Sequence, residues 1–291
     1  MNFKALFKTT LLTTIVLVGL SQAALQARRP RLTLAVTAPG MPAAIAPNPN
    51  LLLGNPSQAT AIDRNNLLVA RPQYVLSYNA DRGIPNWTSW QLNASWLGNL
   101  PRRLFMPDTT LGAGIPVVTQ NDYNGSGFDR GHMVPAADRN RTPEDSQSVF
   151  LMSNILPQAP DNNQGPWEKL ESYSRDLVRQ GKELYIIAGG TGDGGIGKNG
   201  PATTIARGKV AVPKMTWKVI VVLDGPSATP AITSKTRVIA VSMPNEQGIK
   251  DMPWQNYRVS VDAIEAITGY DLLSTVPKRT QTALEKRVDS L

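Results

Sequence analysis

The stretch GFDRGHMVP, residues 127–135, holds the most chemically distinctive residue of the sequence. His132 is the only histidine among 291 residues, and the chain has no cysteine. An imidazole with its ordinary pKa of about 6.5 is mostly neutral near pH 7 and can accept a proton. Asp129, Arg130 and Gly131 place a carboxylate, a guanidinium and an unobstructed backbone beside it. The stretch therefore predicts an imidazole that acts as a base, with a purely structural histidine as the alternative.

A second polar stretch, DNNQGPWEKLE, lies downstream and offers amides and carboxylates at the start of a predicted helix. Asn163 and Glu171 are eight positions apart, so they lie two turns apart and roughly on one side of that helix. One amide oxygen and several water molecules are a usual way of holding Mg²⁺ in a protein. With one histidine and no cysteine, any metal site must use oxygen ligands, which suits Mg²⁺, Ca²⁺ or Mn²⁺.

These stretches resemble the signature blocks of a known enzyme family. YNGSGFDRGHMVPAADR and LMSNILPQAPDNNQGPWEKLE are similar to blocks of the DNA/RNA non-specific endonucleases, the secreted Serratia-type nucleases of the ββα-metal class. YVLSYNADRGIPNWTSWQLN resembles the upstream hairpin of that family, so the resemblance covers roughly residues 65–270. It implies Mg²⁺-dependent hydrolysis of DNA and RNA, single- or double-stranded, to 5′-phosphate products, with Mn²⁺ as a possible substitute.

The resemblance also implies roles for three residues at the reaction centre. His132 would be the general base that deprotonates the attacking water. Asn163 would be the direct protein ligand to Mg²⁺, and Glu171 would orient metal-bound water.

Four further residues receive supporting roles by the same resemblance. Arg130 and an arginine of NLPRRLF would neutralise the phosphate as charge builds up in the transition state. The local spacing departs from the family pattern by what resembles a deletion, so Arg102 is the prediction and Arg103 the alternative. Asn154 would hold the His132 loop or a metal-bound water. Asp129 would fix backbone or water near the metal without touching the ion.

The ends of the chain predict export and one catalytic domain. Residues 1–23 have Lys4 and Lys8, an apolar run and small residues before Ala23, as in a cleaved signal peptide. A membrane anchor is the alternative, but the apolar run is short for a bilayer. Residues 24–60 are rich in Pro, Ala and Asn and predict a tether or an ordered coil; residues 61–291 would form the nuclease domain. The predicted location is secreted or periplasmic, without membrane attachment after cleavage.

The order of predicted elements indicates an α+β fold with a largely antiparallel sheet flanked by helices. QYVLSYN and NWTSWQLN predict a hairpin, and ELYIIAG, TWKVIVVL and RVIAVSMP predict further strands. FLMSNIL predicts a buried strand, and Thr142 precedes a short helix. A long amphipathic helix is predicted over residues 161–181. Pro166 is tolerated only in a first turn, which places Asn163 at the very start of this helix. SVDAIEAITG and RTQTALEKRVDSL predict the last two helices.

Charge alone leaves a second class of function open. The net charge is +8, and removal of Lys4 and Lys8 with the signal segment leaves about +6, which favours polyanionic partners. A basic exported protein that binds nucleic acid or another polyanion without catalysis is the alternative function. DNA and RNA are the predicted partners, and a protein inhibitor is a further candidate. The sequence leaves the oligomeric state open.

Overall fold

The computed structural model describes residues 48–226 and 231–291. The predicted signal peptide, residues 1–23, and residues 24–47 of the Pro/Ala-rich segment lie outside the described residues. Within the described ranges, no helix has both the length and the apolar character needed to cross a membrane.

The strands are short except for four long ones in the central sheet. In chain order they are β1 (Leu67–Ala70), β2 (Val75–Asn79), β3 (Ile84–Leu92), β4 (Asp129–His132), β5 (Ile155–Gln158), β6 (Glu183–Thr191), β7 (Gly195–Gly197), β8 (Gly200–Ala202), β9 (Thr204–Ile205), β10 (Val210–Ala211), β11 (Met215–Leu223), β12 (Arg237–Pro244) and β13 (Arg258–Val259).

The α-helices are α1 (Pro143–Val149), α2 (Pro160–Asn162), α3 (Glu168–Arg179), α4 (Val261–Thr268) and α5 (Lys278–Glu285), and a π-helical segment, Asn163–Trp167, joins α2 to α3. The 3₁₀ turns are Pro49–Leu51, Ala94–Trp96, Gln120–Tyr123, Ala136–Asp138, Met152–Asn154 and Trp254–Tyr257.

A seven-stranded sheet, with the order β1-β2-β3-β6-β11-β12-β13, carries the fold, and all its strand pairs are antiparallel. The middle strands are almost entirely buried because packed elements cover both faces. Ile186 and Ala188 of β6 enter one hydrophobic cluster, whereas Tyr185 and Ile187 enter another. We call the side of the first cluster, with β4, β5 and α3, the first face, and the side with α4 and α5 the second face. The predicted α+β class is confirmed.

The described end of the Pro/Ala-rich segment packs against the sheet. Ser89 Oγ donates to the carbonyl oxygen of Asn50 at 2.6 Å, and the backbone N–H of Gln91 donates to Asn50 Oδ1 at 3.0 Å. Leu53 is buried in the cluster of the second face. Residues 48–60 are thus bonded to β3 and to the second face.

Three predicted elements differ from the structure at their ends. The strand predicted over residues 150–156 begins only at Ile155, because Met152–Asn154 forms a 3₁₀ turn. The helix predicted over residues 161–181 begins at Pro160 and is interrupted before α3. The last helix ends at Glu285, short of the predicted end at residue 291, and beyond it Asp289 accepts two hydrogen bonds from Arg237.

Candidate active site

The candidate site is built on a strand pair followed by a helix. β4 pairs with β5 in antiparallel register, with Asp129 opposite Gln158 and His132 opposite Ile155. The helical segment starts at Pro160, directly after this pair. The two polar stretches singled out in the sequence therefore meet on the first face of the sheet.

The contact between them is a pair of hydrogen bonds to one carboxylate. Asn163 Nδ2 donates to Asp129 Oδ2 at 2.9 Å, and Gln164 Nε2 donates to the same oxygen at 2.8 Å. The Asn163 amide nitrogen is therefore committed to Asp129. Its Oδ1 atom has no partner among the described residues, so the amide presents a neutral oxygen for a ligand.

The helix carrying Asn163 is broken at Gly165, which corrects the expectation that Asn163 begins it. A turn of α2 precedes Asn163, and Gly165 has φ −115° and ψ −117° inside the π-helical segment. Pro166 in a regular helix would clash with the carbonyl group four residues earlier, and the break removes that clash. A Cβ atom at Gly165 would lie 2.7 Å from the Lys250 Cα atom, so the break also needs glycine.

Gly131 is required for a different close approach. A Cβ atom on it would collide with the buried Gln158 side chain across the strand pair. Gln158 in turn donates from Nε2 to Asn162 Oδ1 at 2.8 Å. The glycine before His132 thus lets β5 and the turn before Asn163 pack closely on β4.

His132 is held between two aromatic rings. Its side chain is 8% exposed, and its ring centroid lies 5.3 Å from that of Phe105 and 4.9 Å, edge-on, from that of Phe150. Burial, and to a lesser extent the nearby charge of Arg102, lowers the pKa of His132 to about 3. This departs from the ordinary pKa assumed from the sequence, because the two rings exclude water. Its Nε2 atom has no hydrogen-bond partner within the described ranges.

An arginine lies over each of these rings. The guanidinium carbon of Arg102 is 5.3 Å from the Phe150 ring centroid, and that of Arg130 is 5.2 Å from the Phe105 ring centroid. Each arginine therefore lies over a ring that packs against the imidazole. In the described part of the chain no such ring contact is found for Arg103, whose Nε atom is buried without a partner.

Asn154 bonds the backbone that follows His132. Its Oδ1 accepts from Val134 N at 3.0 Å, and its Nδ2 donates to Val134 O at 3.0 Å and to Val149 O at 2.9 Å. Its own carbonyl oxygen accepts from Met133 N at 2.9 Å. Of the two roles considered from the sequence, these contacts fit the one in which Asn154 holds the loop.

Glu171 lies in α3 with its side chain 13% exposed. Its Oε1 atom is 3.6 Å from Lys218 Nζ. Burial raises the pKa of Glu171 to about 7, although Lys218 and Arg175 act against this rise. A carboxyl with such a pKa changes charge near neutrality.

Several site residues were missed by sequence reasoning. Gln164 adjoins Asn163 and could have been found from its amide. The others are Phe105, Phe150 and Lys218, which come from distant parts of the chain. Their residue types are typical of a core or a strand, so the sequence did not indicate that they belong to the site. They join the site only through the tertiary fold.

The amide of Asn163 fits a hard divalent cation, because it offers a neutral oxygen whose orientation the Asp129 carboxylate fixes. A different acidic group lies on the second face. Carboxylate oxygens of Asp262, Glu265 and Glu285 are within 4.8 Å of one another, beside α4 and α5. Glu265 is already used there, since it accepts from Leu272 N at 2.8 Å. That group is separate from the residues around His132.

A strand pair followed by a helix, with a buried imidazole on the strand pair and the Asn163 amide on the helical segment, has the arrangement of a ββα-type nuclease. The chain belongs to the DNA/RNA non-specific endonuclease family, whose sequence profile matches residues 56–279.

Individual relatives agree with this assignment. A nuclease of Nostoc sp. (strain PCC 7120 / SAG 25.82 / UTEX 2576) is 52% identical over 245 residues, which cover 83% of this chain and 86% of that protein. Mitochondrial endonuclease G of Bos taurus is 30% identical over 238 residues, 79% of this chain and 75% of that protein. Mitochondrial nuclease EXOG of Mus musculus is 29% identical, and this chain spans 54% of it.

A solved structure shares the fold. The crystal structure of the EndoG/EndoGI complex contains a chain that superimposes with a TM-score of 0.66 at 24% identity, covering 84% of this chain and 96% of that one. The protein is thus an endonuclease, a nucleic-acid-binding hydrolase of a metal-dependent class. This decides against the polyanion-binding protein without catalysis.

Proposed function

We propose that this protein is a secreted endonuclease that cuts both DNA and RNA, single- or double-stranded, with Mg²⁺ as its cofactor and His132 as its general base. The observation that carries the proposal is the buried imidazole of His132. It is neutral at physiological pH, it packs against two rings that Arg102 and Arg130 cover, and its strand also carries the carboxylate that fixes Asn163. Mn²⁺ is the alternative ion.

The chain divides the reaction among its own residues. His132 accepts the proton of a water molecule that attacks phosphorus. The bond from phosphorus to the 3′ oxygen breaks, and a second water molecule donates a proton to that oxygen, so the products carry a 5′-phosphate and a 3′-hydroxyl. Arg102 and Arg130 bind the phosphate and neutralise the charge that builds up on it. Asn163 would hold the cation, and Glu171 would orient water beside it. A cation bound there would stabilise negative charge on the phosphate and the leaving oxygen.

The proposed lack of base preference follows from the kind of contact available. The side chains assigned here address phosphate and water, and phosphate contacts carry no direct sequence information. Cleavage of both DNA and RNA is therefore expected. Binding should weaken as salt rises, since phosphate contacts release counterions.

Export and inhibition complete the proposal. Residues 1–23 have the composition of a signal peptide, which supports a secreted or periplasmic location. A protein inhibitor is a candidate partner, because the structure that shares this fold is a complex concerned with EndoG inhibition. Purification of the mature protein from the medium or periplasm, followed by N-terminal sequencing, tests cleavage after Ala23.

The test of the chemistry uses plasmid DNA and a structured RNA as parallel substrates. Wild-type protein with Mg²⁺ should degrade both, EDTA should stop both reactions, and added Mg²⁺ should restore them. End-labelling of the products should find 5′-phosphates. Undiminished cleavage in EDTA would contradict the metal-dependent mechanism and favour a metal-independent phosphoesterase with His132 as nucleophile.

A further inference from the structure

Lys218 is a charged residue buried in the middle of the central sheet. It lies on β11, and its side chain is 1% exposed. Its partners in register, Ala188 and Val241, belong to the hydrophobic cluster of the first face, where the candidate site lies. A buried ammonium is costly unless other groups compensate its charge.

The groups around the Lys218 ammonium are aromatic and acidic. Its Nζ atom lies 3.9 Å from the Trp167 ring centroid and 5.9 Å from that of Trp90. The nearest carboxylate oxygen is Glu171 Oε1, at 3.6 Å. Trp167 ends the broken segment that carries Asn163, so one lysine contacts both the metal-ligand segment and the residue assigned to water orientation.

A second ion pair completes the cluster. Arg175, one turn after Glu171 in α3, donates from Nη1 to Asp138 Oδ1 at 3.1 Å. Asp138 Oδ2 accepts from Trp90 Nε1 at 3.1 Å, and its 3₁₀ turn, Ala136–Asp138, follows the DRGH strand. Two acids and two bases therefore balance in one largely buried group.

We propose that Lys218 is a positioning residue of this nuclease: it holds the Glu171 carboxyl group by a buried ion pair and favours its ionised form. The proposal rests on the proposed function, since it assigns Glu171 its task there. Lys218 itself touches neither substrate nor cation in this role. It acts through its charge, 3.6 Å from the carboxylate it holds.

The charges that face Glu171 support this role. The pKa of Glu171 is about 7: burial raises it, Lys218 and then Arg175 act against that rise, and Asp138 and Glu168 add to it. Without the Lys218 charge, the pKa of Glu171 would rise further, and the carboxyl would be protonated at pH 7. A lysine that only filled space could be replaced by methionine with no such effect.

The experiment compares two variants. Lys218→Met keeps a long, unbranched side chain but removes the charge, and Lys218→Arg keeps the charge. Lys182→Met, which removes the ammonium of an exposed pair with Asp224, is the matched control. Glutamate-labelled protein without metal is titrated by carboxyl ¹³C NMR, and Glu171→Gln identifies the signal. We expect the pKa of Glu171 to rise by at least one unit in Lys218→Met and to stay near the wild-type value in the other two variants.

The pH profile of plasmid cleavage is the second measurement. Lys218→Met should lose at least about fivefold in rate at pH 7, because a one-unit rise from about 7 reduces the ionised fraction of Glu171 by that factor, and it should recover most of the rate at pH 9. Lys218→Arg should follow the wild-type profile. An unchanged Glu171 titration, or an equal loss at every pH, would overturn the proposal. If Lys218→Met fails to fold, Lys218→Gln carries the same expectations with a polar side chain.

The two proposals fail in different ways. A wild-type protein that cuts nothing with Mg²⁺ at any pH contradicts the proposed function, and the NMR titration still decides whether Lys218 controls Glu171. If the wild type is active but the pKa of Glu171 is the same in Lys218→Met, the role of Lys218 is contradicted and the proposed function is not.

Discussion

Asp129 and Asn163 are joined side chain to side chain, with Asn163 Nδ2 donating to Asp129 Oδ2 at 2.9 Å. The bond links the DRGH strand to the helical segment after β5. Because Asn163 Nδ2 is bonded to Asp129, the Oδ1 atom is the amide atom left for a ligand. Asp129 thus contacts the residue that we propose as the metal ligand.

Removal of that carboxylate should weaken metal binding. We expect Asp129→Ala to raise the Mg²⁺ concentration for half-maximal cleavage by about 10–100-fold, because groups that orient a metal ligand contribute on that scale. A Mg²⁺ titration of the cleavage rate measures it. Asp176→Ala, which removes an exposed carboxylate paired with Arg179, is the control. An unchanged Mg²⁺ midpoint in Asp129→Ala would contradict the role assigned to Asp129.

Loss of the imidazole should remove the base. His132→Ala should reduce the cleavage rate by about 10²–10⁴-fold, the usual contribution of general base catalysis. Circular dichroism should show the folded protein, since Phe105 and Phe150 remain to pack against each other at 5.2 Å between ring centroids. A folded variant with most of the wild-type rate would refute the assignment of His132.

Removal of Arg102 should slow cleavage far more than removal of its neighbour Arg103. Arg102 lies over the Phe150 ring beside His132, whereas the Nε atom of Arg103 is buried without a partner in the described residues. We expect Arg102→Ala to lose roughly 10²-fold in rate, as for other donors to a developing negative charge. Arg103→Ala should stay close to wild type per folded molecule. The reverse order in a single-turnover assay would assign the phosphate contact to Arg103.

Acid should destabilise the protein partly through His132. Its pKa is about 3 when folded, against an ordinary value of 6.5. Between these values only the unfolded chain binds the proton, so this contribution to stability is present above pH 6.5 and is lost as the pH falls towards 3. Thermal unfolding in EDTA should show a smaller loss between pH 6.5 and 4 for His132→Gln than for wild type. Parallel curves for the two proteins would count against the buried neutral imidazole.

The contribution of Glu285 to the stability of the folded protein should change with pH in the opposite direction to that of His132. Burial, and then the charge of Glu265, raises its pKa from 4.5 to about 7. The folded state therefore binds the extra proton, and this contribution is present below pH 4.5 and is lost as the pH rises through 7. We expect Glu285→Gln to be more stable than wild type at pH 8 but not at pH 4.5. Glu144→Gln, in the exposed first turn of α1, is the comparison.

The sequence allowed the helix over Glu168–Arg179 to be predicted, because its apolar spacing is continuous in the chain. The strand pair β4–β5 was not predicted: no strand was expected over DRGH, and the strand expected over residues 150–156 begins only at Ile155. The rings around His132 could not be predicted, since Phe105 and Phe150 approach it only in the folded protein. The pKa of His132, about 3 instead of the ordinary 6.5, could not be predicted either, because it depends on burial in the folded protein. The helix break was also missed, because it depends on the contact between Gly165 and Lys250, far apart in sequence.

The strand pair β4–β5 and the helix that follows it form one uninterrupted run of chain, from Asp129 to Arg179. Apart from Arg102, every side chain assigned a role by resemblance lies in that run. Insertions or deletions elsewhere, such as the apparent shortening near NLPRRLF, leave the spacing of His132, Asn163 and Glu171 untouched. Loops that set the shape and charge of the substrate groove can therefore diversify among relatives while the hydrolytic apparatus is inherited as a block.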